Sequence, residues 1–197
     1  MLVHRSWPVN LKKCPQGDIL KVLLHICCAP CSIYPLEVLE AEGCRVFGFF
    51  FNPNIHPYQE YRRRLEAVEQ LAGHLGLEVI CRDEYDVVRF LREVAFRETH
   101  RCHYCYHLRL DAAAKLAKRS RMQGFTSTLL YSKRQDHELV RQIGDEVGKN
   151  HGIPFIYRDL REGWNKGIEK SKKLNLYRQG YCGCIYSEQE RYLGVSC

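Results

Sequence analysis

The sequence predicts an α/β protein, a single-domain three-layer sandwich whose parallel sheet of about five strands lies between helices. Two patterns carry this reading. Short apolar runs alternate along the chain with longer stretches at helical spacing, and strands separated by helices call for parallel pairing through crossover connections. The first run is apolar almost throughout rather than at every second position, as a strand covered on both faces is. Size agrees: 197 residues, 45% hydrophobic and 27% charged, suit one globular domain with a core of its own.

Residues 1–20, with Trp7 and Pro8, read as a leader, residues 21–187 as the α/β domain and residues 188–197 as a tail. The leader has no continuous hydrophobic segment and no small-residue cleavage site, and no apolar run is long enough to cross a bilayer. A cytoplasmic location with no membrane partner is expected. Lys21 to Cys28 (KVLLHICC) is the first strand, and a helix from Ser32 to Glu42 follows, stopped by Gly43. Arg45 to Phe51 is the second strand. The turn-rich NPNIHP segment leads to a helix from Tyr58 to His74, then come a strand at Leu77 to Arg82 and a helix at Val87 to Phe96. The second half repeats the alternation: helix Cys105 to Ser120, strand Phe125 to Leu130, helix Gln135 to Asn150 and strand Pro154 to Asp159. After Gly163 a basic helix and a loop around the last cysteines are expected.

Eleven cysteines in a reducing compartment point to metal binding or redox chemistry rather than to structural disulfides. Cys14, Cys44, Cys81 and Cys197 stand alone and read as small hydrophobes or bystanders. The other seven form three groups: Cys27, Cys28 and Cys31; Cys102 and Cys105; Cys182 and Cys184. In open parallel sheets, ligands bind beyond the carboxyl ends of the strands, where the first group falls. The helix that follows would favour thiolates through its unpaired N–H groups and its dipole. Cys102 and Cys105, three apart near a helix start, share one helix face.

Cys27, Cys28, Cys102 and Cys105 supply four sulfurs, as an iron–sulfur cluster or a structural zinc requires, and spacing does not separate the two. Cys28 and Cys31 form an equally good C-x-x-C. A disulfide across Cys182-Gly183-Cys184 closes a small ring and is easily reduced, which suits a shuttle of electrons; the same thiols could instead hold a separate ion with a nearby carboxylate. No phosphate-loop or dinucleotide fingerprint is present, so no nucleotide cofactor is expected.

Lysine and arginine outnumber aspartate and glutamate, 30 to 23, a net charge of +7 that suits a polyanionic partner without proving one. Tyr58, Tyr61, Arg62, Arg63 and Arg64 cluster at the start of one helix; Tyr131, Lys133 and Arg134 follow a strand end; Lys166, Lys170, Lys172, Lys173, Tyr177, Arg178 and Tyr181 precede the last cysteines. Of these, Arg62, Arg63, Lys133, Arg134 and Arg178 are the candidate phosphate contacts, and the tyrosines could stack on unpaired bases.

HICCAPCS, NPNIHPYQEYRRR, RCHYCYHLRL, STLLYSKRQDHE, YRDLREGW and LYRQGYCGC, in this order from Lys21 to Ser187, resemble the cobalamin-independent epoxyqueuosine reductase family, QueH. The resemblance implies reduction of epoxyqueuosine to queuosine at the wobble base of tRNA, with a tRNA carrying epoxyqueuosine as partner and an electron donor not identified by the sequence. It implies a [4Fe-4S] cluster on Cys27, Cys28, Cys102 and Cys105, a redox-active pair at Cys182 and Cys184, and a fold resembling the adenine-nucleotide alpha-hydrolase, PP-loop-like, architecture. Four thiolates fill every iron of one cubane, so one of these cysteines is expected either to be displaced or to serve a second metal, an additional iron ion. Lys133-Arg134, Asn175 and Ala113 depart from the residues usual in the family.

Turning an epoxide into an alkene takes two electrons and two protons and releases water, so a proton donor is needed. Asp136 and His137 are the candidates placed in the site, with His25 and His56 beside other strand ends. A zinc-stabilised RNA-binding module, a tRNA sulfur transferase and a thiol–disulfide oxidoreductase remain the rival readings.

Overall fold

A computed structural model describes residues 19–194. The leader up to Asp18, with Trp7, Pro8 and Cys14, and the tail end with Cys197 lie outside the described residues. Four parallel strands form the sheet in the order β3-β2-β1-β4: β1 (Leu20–His25), β2 (Cys44–Phe50), β3 (Val79–Cys81) and β4 (Gly124–Ser127). Among the described residues seven α-helices accompany them: α1 (Ala29–Ala41), α2 (Tyr58–Leu75), α3 (Val87–Val94), α4 (Arg101–Arg119), α5 (His137–His151), α6 (Trp164–Lys173) and α7 (Ile185–Leu193).

The apolar run of β1 is explained by the two cores it divides. Val22 and Leu24 pack with Ile33, Leu36 and Leu39 of α1 and Leu65, Val68 and Leu71 of α2. Leu23 points the other way, into a cluster with Leu110, Ala113 and Ala117 of α4 and Val140, Ile143 and Val147 of α5. Alternation across the strand thus serves two buried faces, and all three side chains are fully buried. This is the expected three-layer sandwich.

The fifth strand is reduced to one parallel bridge, Phe125 with Phe155. The main chain pairs there through Phe125 N–H to the Pro154 carbonyl (3.1 Å) and Ile156 N–H to the Phe125 carbonyl (2.8 Å). Beyond it the Thr126 hydroxyl takes the Ile156 carbonyl at 2.7 Å, so a side chain replaces the next rung of the ladder. The strand expected to reach Leu130 ends at Ser127, whose hydroxyl accepts from Leu129 N–H (3.1 Å) and starts a 3-10 turn over Thr128–Leu130. The loop around the last cysteines is followed by a further helix, α7, which runs through residue 188, where the tail was expected to begin. Asn175 has φ +50, a left-handed conformation that asparagine tolerates better than most side chains.

β1 pairs with β2 on one side and β4 on the other, so successive strands are laid down to one side of β1 as far as β3 and to its other side at β4, all of them parallel. Such a switch point opens a crevice beyond the carboxyl ends of the two strands. The site lies there.

Candidate metal and redox site

Cys27 and Cys28 continue directly from β1, and Cys28 is the extended N-cap of α1, with Pro30 in the first turn where its missing N–H costs nothing. Cys27 N–H donates to the Thr128 hydroxyl (3.0 Å), and that hydroxyl donates to the Cys27 sulfur (3.2 Å), tying the two strand ends across the switch point. The sulfurs of Cys27, Cys28 and Cys31 lie within 4.8 Å of one another, all three buried. The Cys27 and Cys28 sulfurs are 3.9 Å apart, and Gln179 Nε2, from a distant loop, donates to the Cys28 sulfur at 2.9 Å. Hydrogen bonding from Cys28 and Cys31 holds the Cys27 thiol well below its ordinary pKa, whereas burial raises Cys28 and the shared hydrogen bonds raise Cys31. Three soft donors that share negative charge in a closed, buried space fit a thiolate-bound metal centre.

Cys102 and Cys105 open α4. Cys105 is buried in the same cluster as Cys27, Cys28 and Cys31, while Cys102 is exposed. The Cys105 sulfur accepts from Asn54 Nδ2 and Arg109 Nη2, each at 3.0 Å. Burial pushes the Cys105 thiol up to about 12, against the opposing charge of Arg109, and burial also raises Cys182. Cys102 is raised by burial and then by neighbouring Cys182, so α4's pair and the 182–184 segment adjoin.

Side chains tie the 182–184 segment down. Arg64, on α2, donates Nη1 to the Cys182 carbonyl (2.7 Å) and Nη2 to the Tyr181 carbonyl (3.1 Å), while Nε pairs with Glu60 at 2.7 Å. Tyr177 holds the other Glu60 oxygen, the Tyr181 hydroxyl bonds the His56 carbonyl, and His56 N–H donates to the Gly183 carbonyl (2.7 Å). Gly183 has φ +153, and a Cβ there would meet Ile55 Cγ1 at 3.1 Å and Arg64 Nη1 at 3.3 Å, so this position takes glycine on both counts. Gln135 Nε2 donates to the Cys182 sulfur (3.1 Å) and is itself held by Tyr106.

The sequence-predicted residues fall into distinct places. Asp136 caps α5, accepting from Leu139 N–H (3.0 Å), and His137 Nε2 bonds the Leu130 carbonyl (2.6 Å). His25 is tied to Ser127 and the Phe51 carbonyl, and burial, then Arg109, lowers its pKa to about 4. His56 is buried between Tyr85 and Phe90 with both ring nitrogens unpartnered, and burial, then Arg109, lowers it to about 4. Lys133, Arg134 and Arg178 are exposed. Arg62 pairs with Asp83 and Glu66, and Arg63 lies over the Tyr177 ring. Arg64, read with them as surface, is 1% exposed and serves the cysteine loop instead; Tyr61, Tyr131 and Tyr181 are likewise buried and unavailable for stacking on bases. Thr128, Asn54, Arg109, Gln135 and Gln179 were not singled out from sequence. Their one visible signal was membership of the cysteine-bearing and neighbouring motifs.

Fold and site together define a three-layer α/β protein with thiols gathered at the carboxyl edge of its parallel sheet. A family model described as "Epoxyqueuosine reductase QueH" matches residues 22–190. Epoxyqueuosine reductase QueH from Dehalococcoides mccartyi is 37% identical over 87% of this chain and 94% of its own length. Its namesake from Thermotoga maritima is 34% identical over 86% and 91%. The chain belongs to the epoxyqueuosine reductase QueH family, whose named members are oxidoreductases. Among solved structures, the U34-tRNA thiolase NcsA from Methanococcus maripaludis, with its [4Fe-4S] cluster, shares the fold at a TM-score of 0.58 and 14% identity, over 88% of this chain and 64% of the thiolase. Among the described residues no helix is long and apolar enough to cross a membrane.

Proposed function

We propose that this chain reduces epoxyqueuosine to queuosine at the wobble position of a tRNA anticodon, in the cytoplasm, using a [4Fe-4S] cluster held by Cys27, Cys28, Cys102 and Cys105. The observation that supports it most is the convergence of three buried sulfurs within 4.8 Å at the switch point of a chain of this family. When bound, the cluster supplies electrons one at a time.

The remaining chemistry belongs to the chain's own residues. Cys182 and Cys184 are the dithiol: closing to a disulfide releases two electrons and two protons, which balance epoxide to alkene plus water. An electron donor from outside the chain then reopens the disulfide. Arg64 and Gly183 hold this segment in place, and Gln135 orients the Cys182 sulfur. Asp136 and His137 are the proton donors of this reading, with His137 Nε2 fixed on the Leu130 carbonyl. Lys133, Arg134 and Arg178 meet the tRNA phosphates with Arg62 and Arg63.

One observation favours a variant of the ligand set. The Cys31 sulfur stands with those of Cys27 and Cys28, whereas Cys102 is exposed. Cys31 is then either a cluster ligand in place of Cys102 or a ligand of the additional iron ion. Iron content of Cys31→Ser and Cys102→Ser separates these. The activity itself is tested by incubating anaerobically purified, reduced protein with epoxyqueuosine-containing tRNA and no ATP. Queuosine should form; an iron-loaded protein that makes none overturns the proposal.

A further inference from the structure

Three arginines are buried beside the cysteines, and two have a carboxylate. Arg64 pairs with Glu60 and Arg101 with Glu190. Arg109, 2% exposed on α4, has none within ion-pair distance among the described residues. A guanidinium cannot shed its proton inside a protein, so its charge is permanent. A buried permanent charge without a counterion is strongly unfavourable unless negative charge is supplied to it.

What surrounds Arg109 is sulfur. Its Nη2 is 3.0 Å from the Cys105 sulfur, and Cys182, Cys27 and the Tyr106 hydroxyl also feel its charge, as do the His25 and His56 rings. Asn54 fixes the geometry: its Oδ1 accepts Arg109 Nε (3.0 Å) while its Nδ2 donates to the same Cys105 sulfur (3.0 Å). Cys105 therefore faces two N–H donors, an arrangement that suits an electron-rich, metal-bound sulfur better than a thiol. Hydrogen bonds and positive charge at ligand sulfurs favour the reduced, more negative state of an iron–sulfur centre.

We infer that Arg109 is the built-in counter-cation of the sulfur site, a positioning residue that offsets the charge of the loaded centre and raises its reduction potential. This rests on the reading that iron–sulfur is held here. Replacing Arg109 by Met should then lower the ratio of reduced to oxidised centres about tenfold at the poise that half-reduces the wild type, which for one electron is a shift of about 59 mV. Arg109→Lys, which keeps the charge, should recover most of it.

The test is a reductive titration of the holoprotein followed by visible absorption, with thermal melting of the metal-stripped proteins alongside. A lower potential in Met and its recovery in Lys support the role, as does a metal-stripped Met variant that melts above metal-stripped wild type, because the unpaired cation is gone. An iron-loaded Met variant with wild-type potential overturns the role of Arg109 alone. If no Met protein holds iron, a metal-stripped Met variant that melts at or below wild type overturns it. A wild type that binds no iron overturns this inference and the cluster reading together, which the iron assay reports separately.

Discussion

The first and the last of the three cysteine groups are built by different means. Cys27, Cys28 and Cys31 inherit their place from the main chain, where a central strand runs into a helix start, and all three are buried. Cys182 and Cys184 sit on a loop held by side chains reaching from elsewhere, above all Arg64, and adjoin the start of α4 at the exposed Cys102. The first arrangement suits holding a metal without movement. The second suits thiols that must open, close and meet a donor. Cys105 belongs to both, packed in the first group's cluster and adjoining Cys182.

The largest expected effects come from removing sulfurs. Cys28→Ser and Cys105→Ser should abolish iron binding and turnover, while Cys182→Ser should keep the iron and abolish turnover; iron-to-protein ratio and queuosine formation read both. Cys182→Ser protein that loses its iron would erase the division between the groups.

Next in size is the tether. Arg64→Met leaves Glu60 buried without its partner, a loss of about 3–5 kcal/mol in denaturant unfolding. Alkylation of Cys182 and Cys184 should quicken while Cys27 and Cys28 stay protected. Equal exposure of all four would mean that the loop and the strand end are one unit.

Smaller still is the effect of Gly183→Ala, expected to cost about 1–3 kcal/mol through its backbone conformation and crowding by Ile55. Turnover should fall at unchanged iron content.

The mildest effect is one of pH. His56, beside the second group, has its pKa lowered from 6.5 to about 4 by burial, then by Arg109. The unfolded chain therefore takes up a proton that the folded one refuses, so this contribution is complete above about 6.5 and drains as pH falls toward 4. His56→Phe should flatten that part of the stability–pH curve in denaturant titrations; an unchanged slope would show that other groups set it.

Much of this was legible before any coordinates. The β1 run, the α1 and α2 periodicities and the cysteine groups at a strand end and a helix start follow from local pattern, because burial on two faces and helical spacing leave marks within a few residues. The fifth strand misled for a local reason, since Pro154 to Asp159 has strand composition but Thr126 takes the carbonyl its ladder needed. The basic cluster misled for a distant one: Arg62, Arg63 and Arg64 look alike in sequence, and only packing separates the buried Arg64 from its neighbours.

By itself the sequence determined the alternating α/β order, the family and which residues could donate sulfur, since these depend on residue type and on neighbours along the chain. Tertiary structure alone decided which sulfurs meet, that Arg64 straps the 182–184 loop, and that Arg109 is buried facing sulfur with no carboxylate in ion-pair reach among the described residues. Those are contacts between segments far apart in the chain, and their energies depend on burial and geometry that no local pattern encodes.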